Sequence, residues 1–535
     1  MGEKLDILIA MAGYMLIVIL IGVFFAKRSH ASTENYFLGG RSLGPWVAAM
    51  SAEASDMSGW LLMGLPGVAY WCGLADAAWT AIGLALGTYI NWLLVSRRLR
   101  SYSIVSGDSI TVPDFLSNRF HEKKKVILGV SAIFILIFFT VYAASCFVTC
   151  GKLFAGLFDL PYHAMMLTGA AFVLIYTILG GFLAESASDF MQAIVMILAL
   201  LGVLIFGVNH AGGIGAVIDN AKDIPGFLSL TSIASPIVDA NGVQQTANGI
   251  AQFGQAGSYG WITILSTLSW GLGYFGVPQV LLRFMAIRKG SELNRSRRIA
   301  TVWCVISLVA AVSIGILGRK IFPFDAALAT KSASENIFAQ LSQLLFHPVV
   351  AGIIMAGILA ATISSSDSYL LIAASAVSKN IYEGIVKKDA SDKQVMRVSR
   401  IVLLIVALIG ILIAWDEKSI IFEVVSFAWA GFGATFGPII LFSLFWKRTN
   451  RAGAIAGMIS GGAMVFFWKL VLKPIGGVFG IYELLPAFLV SCIVIAVVSL
   501  STAKPSAEIE EEFERARTYQ DAPQEPVQMN TAEEV

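Results

Sequence analysis

The run Ala52-Glu53-Ala54-Ser55-Asp56-Met57-Ser58-Gly59-Trp60 puts two carboxylates and two hydroxyls inside residues 46–71, an otherwise apolar stretch long enough to span a bilayer. An ionisable side chain at the bilayer centre costs at least roughly 2.5 to 3.5 kcal/mol on insertion scales, so such groups face a bundle interior or a water-filled path. This one segment therefore constrains the whole fold: other helices must surround it, and it is expected to line a route for an ion or a polar solute.

Composition fits that requirement. The 535 residues are 57% hydrophobic and 13% charged, with mean hydropathy +0.77, whereas soluble domains carry about 25% charged residues. Net charge is only +2, so the overall balance points to no nucleic-acid partner. Apolar stretches near 5–26, 46–71, 74–95, 126–150, 161–183, 188–209, 260–285, 299–320, 347–377, 398–415, 420–446, 452–472 and 482–500 predict about 13 transmembrane helices. The first of them is long enough to span and is followed by Lys27-Arg28, so it reads as a retained helix rather than a cleaved leader. With the first loop cytoplasmic, 28 of the 37 lysines and arginines fall inside and 9 outside, the group from Arg283 to Arg298 being counted with the inner loops. That asymmetry predicts an external N-terminus and a cytoplasmic C-terminus. The five cysteines, Cys72, Cys146, Cys150, Cys304 and Cys492, are expected as packed thiols; Cys146 and Cys150 share a helix face, but no further ligand pair accompanies them.

Two spans are interrupted by composition: 46–71, by Ser51 to Gly59 and again by Gly64-Leu65-Pro66-Gly67, and 260–285, by Gly271, Gly273, Gly276 and Pro278. Unwound backbone at membrane depth is tolerated only where it is buried or lines a cavity, and matched interruptions in two halves indicate an inverted repeat with its site at the midplane. Counting five helices from each break gives repeats of about 46–209 and 260–446, with one helix before and two after, all within a transmembrane domain of residues 1–502. The loop 210–259 is expected to lay short helices over the outer face, and the acidic tail 503–535 reads as a solvated cytoplasmic appendage.

Ser364-Ser365-Ser366-Asp367-Ser368 supplies hydroxyls in the third span of the second repeat. With carbonyls freed by an unwound helix, such groups make an oxygen cage for a hard monovalent cation; alternatively, the serines bond to their own helix carbonyls. Asp189, after Gly180-Gly181-Phe182, has a site reading and a helix-capping reading. Trp60, Tyr142, Trp270 and Tyr274 are either packing aromatics or the walls of a pocket for a small amphipathic solute.

Phe37-Leu38-Gly39-Gly40-Arg41-Ser42-Leu43-Gly44-Pro45, the run Ala54 to Gly67, Thr111-Val112-Pro113-Asp114-Phe115 and Trp270-Gly271-Leu272-Gly273-Tyr274-Phe275-Gly276 resemble the sodium/solute symporter family over about residues 5–500. The stretch Ser55 to Gly67 is similar to the branch that carries L-proline. The resemblance implies an all-α polytopic protein of the LeuT-type five-plus-five inverted repeat, working in a bacterial plasma membrane with Na+ as coupling ion. It places sodium at the carbonyls of Ala54, Met57 and Ala361 and the hydroxyls of Ser364 and Ser365. It makes Asp56 essential for coupling, links Asp189 to sodium dependence, and sets Ser58, Gly59, Trp60, Tyr142, Trp270 and Tyr274 around the solute. Some relatives hold a second sodium near the aspartate matched by Asp189, and Asp367, one turn from Ser364, would add a carboxylate there. Two departures stand out: Glu53 occupies a position expected to be small, where it brings in a proton or cation or pairs within the bundle, and the loop before Tyr259 is long.

The same scaffold serves other solutes, including other amino acids, compatible solutes, sugars and vitamins. A transporter-like nutrient sensor would need a signalling domain, for which the tail after Ala503 is short. An enzyme is not expected, since the zinc-binding pattern His-Glu-x-x-His is missing from the sequence.

Overall fold

Apolar stretches this long have no water to satisfy their backbone in a bilayer, so helix is the form open to them. The computed structural model describes residues 2–29 and 33–521. The first half runs α1 (Gly2–Ser29), α2 (Thr33–Leu38), α3 (Pro45–Asp56), α4 (Leu65–Cys72), α5 (Leu74–Val105), α6 (Val112–Arg119), α7 (Val126–Phe158), α8 (Tyr162–His210) and α9 (Ile214–Lys222). After four two-residue strands come α10 (Trp261–Leu268), α11 (Pro278–Ala286), α12 (Leu293–Ile321), α13 (Ile337–Leu345), α14 (Pro348–Ser375), α15 (Asp392–Ile413), α16 (Ile421–Phe445), α17 (Arg451–Phe467), α18 (Leu484–Ser501) and α19 (Ala507–Thr518). Among the described residues, 10 helices are long and apolar enough to cross a membrane. The other three expected spans are helical too, but 46–71 and 260–285 are broken and Tyr162–Ile178 is short.

Burial separates two kinds of helix. On α15, Ile401, Leu404, Ile405, Leu408 and Leu412 are exposed while Val395, Leu403 and Val406 are buried, which gives a continuous apolar stripe for lipid. In contrast, α14 is buried on every side from Ile354 to Ser375, packed by α1, α7 and α8. A helix enclosed in this way sits at the bundle centre, and it is the one that carries Ser364 to Ser368.

The first break is narrower than the sequence suggests. α3 stays helical through Asp56, the chain turns at Met57 (φ −86°, ψ 77°), and a wide turn over Trp60–Gly64 leads into α4. Gly64-Leu65-Pro66-Gly67 does not unwind: Pro66 lies in the first turn of α4, where its missing N–H costs no helix bond. The second break follows expectation, with tight turns over Ser269–Phe275 and Pro278 opening α11. The spans expected at 161–183 and 188–209 form one helix, α8, interrupted at Gly181. There φ is 66° and ψ 177°, a conformation a side chain resists.

Three other expectations change. The outer loop holds a single helix, α9, together with two small antiparallel pairs, Ser232–Ile233 with Gly257–Ser258 and Thr246–Ala247 with Ile250–Ala251. The tail is not simply solvated. α19 buries Ile509, Phe513 and Ala516, sets Phe513 edge-on to Tyr102 at 6.1 Å, and is followed by Asp521, which accepts from Arg100 (2.6 Å) and the Gly290 N–H (2.7 Å). Residues 522–535 of the expected tail lie outside the described residues. Finally, Arg283, grouped above with loop cations, is fully buried inside α11.

Candidate functional site for an ion and a solute

The end of α3 meets the middle of α14. The Ser364 hydroxyl donates to the Ala54 carbonyl at 2.8 Å and lies 3.1 Å from the Ala361 carbonyl; the Ser365 hydroxyl reaches the same Ala54 oxygen at 3.3 Å. Four of the five expected cage groups are thus gathered on two helices, all of them fully buried. The fifth, Met57, stands at the turn itself, where its ψ of 77° turns its carbonyl away from the helix direction. The alternative for the serines, bonding only within their own helix, holds for Ser366, which donates to Thr362 at 2.6 Å, but not for Ser364 or Ser365, which both cross to Ala54. Among the described residues there is no cluster of three His, Cys, Asp or Glu suited to a metal. The donors are carbonyls and hydroxyls, a set that suits an alkali cation.

Asp56, the last residue of α3, accepts from the Tyr274 hydroxyl at 2.7 Å across the gap between the two broken helices, while its second oxygen has no partner. The Trp60 indole N–H returns to the Asp56 carbonyl at 3.2 Å, and the Trp60 and Trp270 rings lie 6.3 Å apart. On the facing side, Tyr142 of α7 stacks on Tyr369 of α14 with centroids 4.1 Å apart. The hydroxyls of Ser58, Tyr142 and Tyr369 are buried without partners. Buried polar atoms are normally paired, so four such atoms gathered in one place stand out from the packed core around them. Gly59 permits the close approach of α7 here: a Cβ on it would lie 2.5 Å from both Cγ2 and Oγ1 of Thr149. On the side of the 210–259 loop, Trp270 lines a cavity of about 560 Å³ together with Asp76, Lys331, Phe422, Glu423 and Tyr482.

Asp189 and Asp367 belong to a neighbouring cluster. Asp189 is interior to α8 and caps no helix end; it accepts from Ser51 at 2.6 Å and from Arg283 at 3.1 Å. Arg283 also pairs tightly with Glu185, and Asp367 accepts from the Ser368 N–H at 2.8 Å. Among the described residues the Glu53 carboxyl meets only the Trp92 indole, at 3.4 Å, with its other oxygen unpaired. Sequence reasoning brought fourteen residues forward but missed Ser51, Thr149, Glu185, Arg283, Tyr369 and Trp429. The last donates to the Trp270 carbonyl at 2.8 Å and fills the space beside Gly273. Tyr369 was within reach, since it directly follows the Ser364–Ser368 run.

Two helices interrupted within apolar spans, beside buried oxygen donors and clustered aromatic rings, are the arrangement expected of a secondary transporter. The family model described as "Sodium:solute symporter family" matches residues 36–461. The Sodium/proline symporter of Staphylococcus aureus (strain USA300 / TCH1516) is 41% identical over 515 residues, 95% of each chain, and that of strain JH9 matches equally. Among solved structures, a substrate-bound outward-open Na+-coupled sialic acid symporter aligns with TM-score 0.71 at 18% identity over 94% of this chain and 99% of its own. A nucleobase-cation-symport-1 family transporter in a closed conformation aligns at 0.52 and 11% over 90% and 98%; both likenesses concern the fold. The chain belongs to the sodium:solute symporter family, and sodium is its coupling ion.

Proposed function

We propose that this protein carries L-proline inward with sodium across a bacterial plasma membrane by alternating access, with its N-terminus outside and its C-terminus in the cytoplasm. The observation that carries the reading is the 41% identity over 95% of the chain to a sodium/proline symporter. The site is consistent with it. Sodium sits among the carbonyls of Ala54, Met57 and Ala361 and the hydroxyls of Ser364 and Ser365, and so fastens α3 to α14. That fixes the turn at Met57 to Gly59 in the shape that receives the solute. The pyrrolidine ring then lies against Trp60, Tyr142, Trp270 and Tyr274, with Ser58 and the Gly59 backbone facing its polar end. Asp56 couples the two broken helices through Tyr274. Because both ligands favour one state, each raises the affinity for the other.

The test is sodium-driven accumulation of labelled L-proline in proteoliposomes, challenged with an excess of unlabelled amino acids, betaine-type solutes, sugars and vitamins. Accumulation that unlabelled proline alone abolishes supports the assignment. Displacement by a different solute, with proline inert, overturns the substrate while leaving the family membership in place.

A further inference from the structure

With the orientation proposed above, the Glu185–Arg283 cluster lies on the cytoplasmic side of both helix breaks, since α3 before its break and α11 after its break lead into the cation-rich segments around Arg41 and Arg288. These two half-helices are tied to each other at their ends. The Leu43 N–H donates to the Ala286 carbonyl at 3.1 Å and the Arg288 N–H to the Leu43 carbonyl at 3.0 Å. Between this pair and the neighbouring pair, α8 and α14, runs a seam that a solute released to the cytoplasm must open. Arg283 bridges it. Its guanidinium donates to Ser51 of α3 at 3.0 Å, to Asp189 of α8 at 3.1 Å and to Ser368 of α14 at 3.1 Å, and it pairs with Glu185 of α8. Phe182, next to the Gly181 break, lies under it at 5.0 Å. Glu185 also accepts from the Ser368 hydroxyl, and Ser368 stands one turn from the cage, with its hydroxyl 3.0 Å from the Ser364 carbonyl.

We propose that Glu185 and Arg283 form an inner latch, closed while sodium holds α3 against α14, with Glu185 as the positioning residue that transmits occupancy of the cage through Ser368 to the cytoplasmic seam. This rests on the sodium-coupled reading above and adds to it a residue pair that sets how tightly ion and solute are coupled. A purely structural ion pair would be expected to satisfy its surroundings. Here one oxygen each of Glu185, Asp189 and Asp367 is buried without a partner, and so are the side-chain amides of Gln192 and Gln279. One arrangement does not satisfy this cluster, as befits a network that exchanges between two.

The experiment compares the full chain with Glu185→Gln, which keeps the shape but withdraws the charge from Arg283, and with Glu185→Asp, which keeps the charge. Steady-state accumulation and sodium-equilibrated counterflow are measured in proteoliposomes. A cysteine placed at Ala48, on the buried inner half of α3, is labelled from the inside with a membrane-impermeant maleimide, with and without sodium and with the native thiols replaced. In Glu185→Gln the latch predicts about a tenfold loss of accumulation, preserved counterflow, and labelling that sodium no longer suppresses, with Glu185→Asp intermediate. Parallel loss of accumulation and counterflow without added labelling, or no change in any readout, overturns it. If the protein moves no proline, the labelling arm alone decides, because it needs only sodium. If Glu185→Gln does not fold, Glu185→Asp labelled like the parent chain overturns the proposal.

Discussion

Removing the hydroxyls of Ser364 and Ser365 together separates an ion cage from ordinary helix packing. Both side chains are fully buried, and both reach the Ala54 carbonyl, at 2.8 and 3.3 Å. Deleting one partner of a buried polar pair costs about 1–3 kcal/mol. Because the two hydroxyls share one acceptor, their losses are not additive, and about 3 kcal/mol is a fair figure for the pair. At 1.4 kcal/mol per tenfold, Ser364→Ala with Ser365→Ala raises the sodium concentration for half-maximal activation by roughly a hundredfold. In the arrangement proposed above the solute makes none of these contacts, so its affinity at saturating sodium should stay within about threefold, inside the usual scatter of distant substitutions. The assay is initial uptake over a sodium series at fixed proline, then over a proline series at the highest sodium, with thermal unfolding as a control for folding. Equal losses in both series, on folded protein, would refute the cage.

Gly59→Ala drives a Cβ to 2.5 Å from Thr149; overpacking of about 1–3 kcal/mol should abolish most uptake, and Thr149→Ala should restore part of it, so normal uptake by Gly59→Ala alone would count against the close approach. Tyr274→Phe takes from the Asp56 carboxyl the donor it has among the described residues, at 2.7 Å, and should lower kcat/KM for uptake by about tenfold, as expected for leaving a buried acceptor unpaired at about 1–3 kcal/mol. The tail should stay docked at neutral pH. Partial burial opposes ionisation of Asp521, but the Gly290 N–H and Arg100 prevail and hold its carboxyl below the ordinary range. A group whose folded value is depressed stabilises above its unfolded value, so the tie should weaken only as pH falls below about 3.9. Hydrogen exchange of residues 507–521 checks this, and loosening already at pH 6 would contradict it.

The membrane class, the two interrupted spans and the interest of the α14 serines, two of which reach Ala54, were legible because each is a polar exception in an apolar background, and in a bilayer such exceptions need a partner. What escaped notice escaped for a physical reason. Arg283 stands near a string of loop cations, and only the helix opened by Pro278 carries it inward to Glu185. Charge near a span end is commonly solvent-facing, so sequence position alone pointed the wrong way. Asp189 carried a capping reading beside its site reading because Gly180-Gly181 resembled a loop, whereas Gly181 is a single break within α8 and the helix resumes well before Asp189. The tail's acidic composition concealed Ile509, Phe513 and Ala516, which recur at helical spacing and bury one face. Gly64-Leu65-Pro66-Gly67 misled in the opposite sense, since a proline in the first turn starts a helix as readily as it ends one.

The most direct test of the account is uptake of labelled L-proline into proteoliposomes with an inward sodium gradient and with equal sodium on both sides, comparing the intact chain with Asp56→Asn. The account predicts accumulation above the external concentration only with the gradient, and its loss in Asp56→Asn. Equal accumulation with and without the gradient, or an Asp56→Asn variant that still concentrates proline, would contradict it.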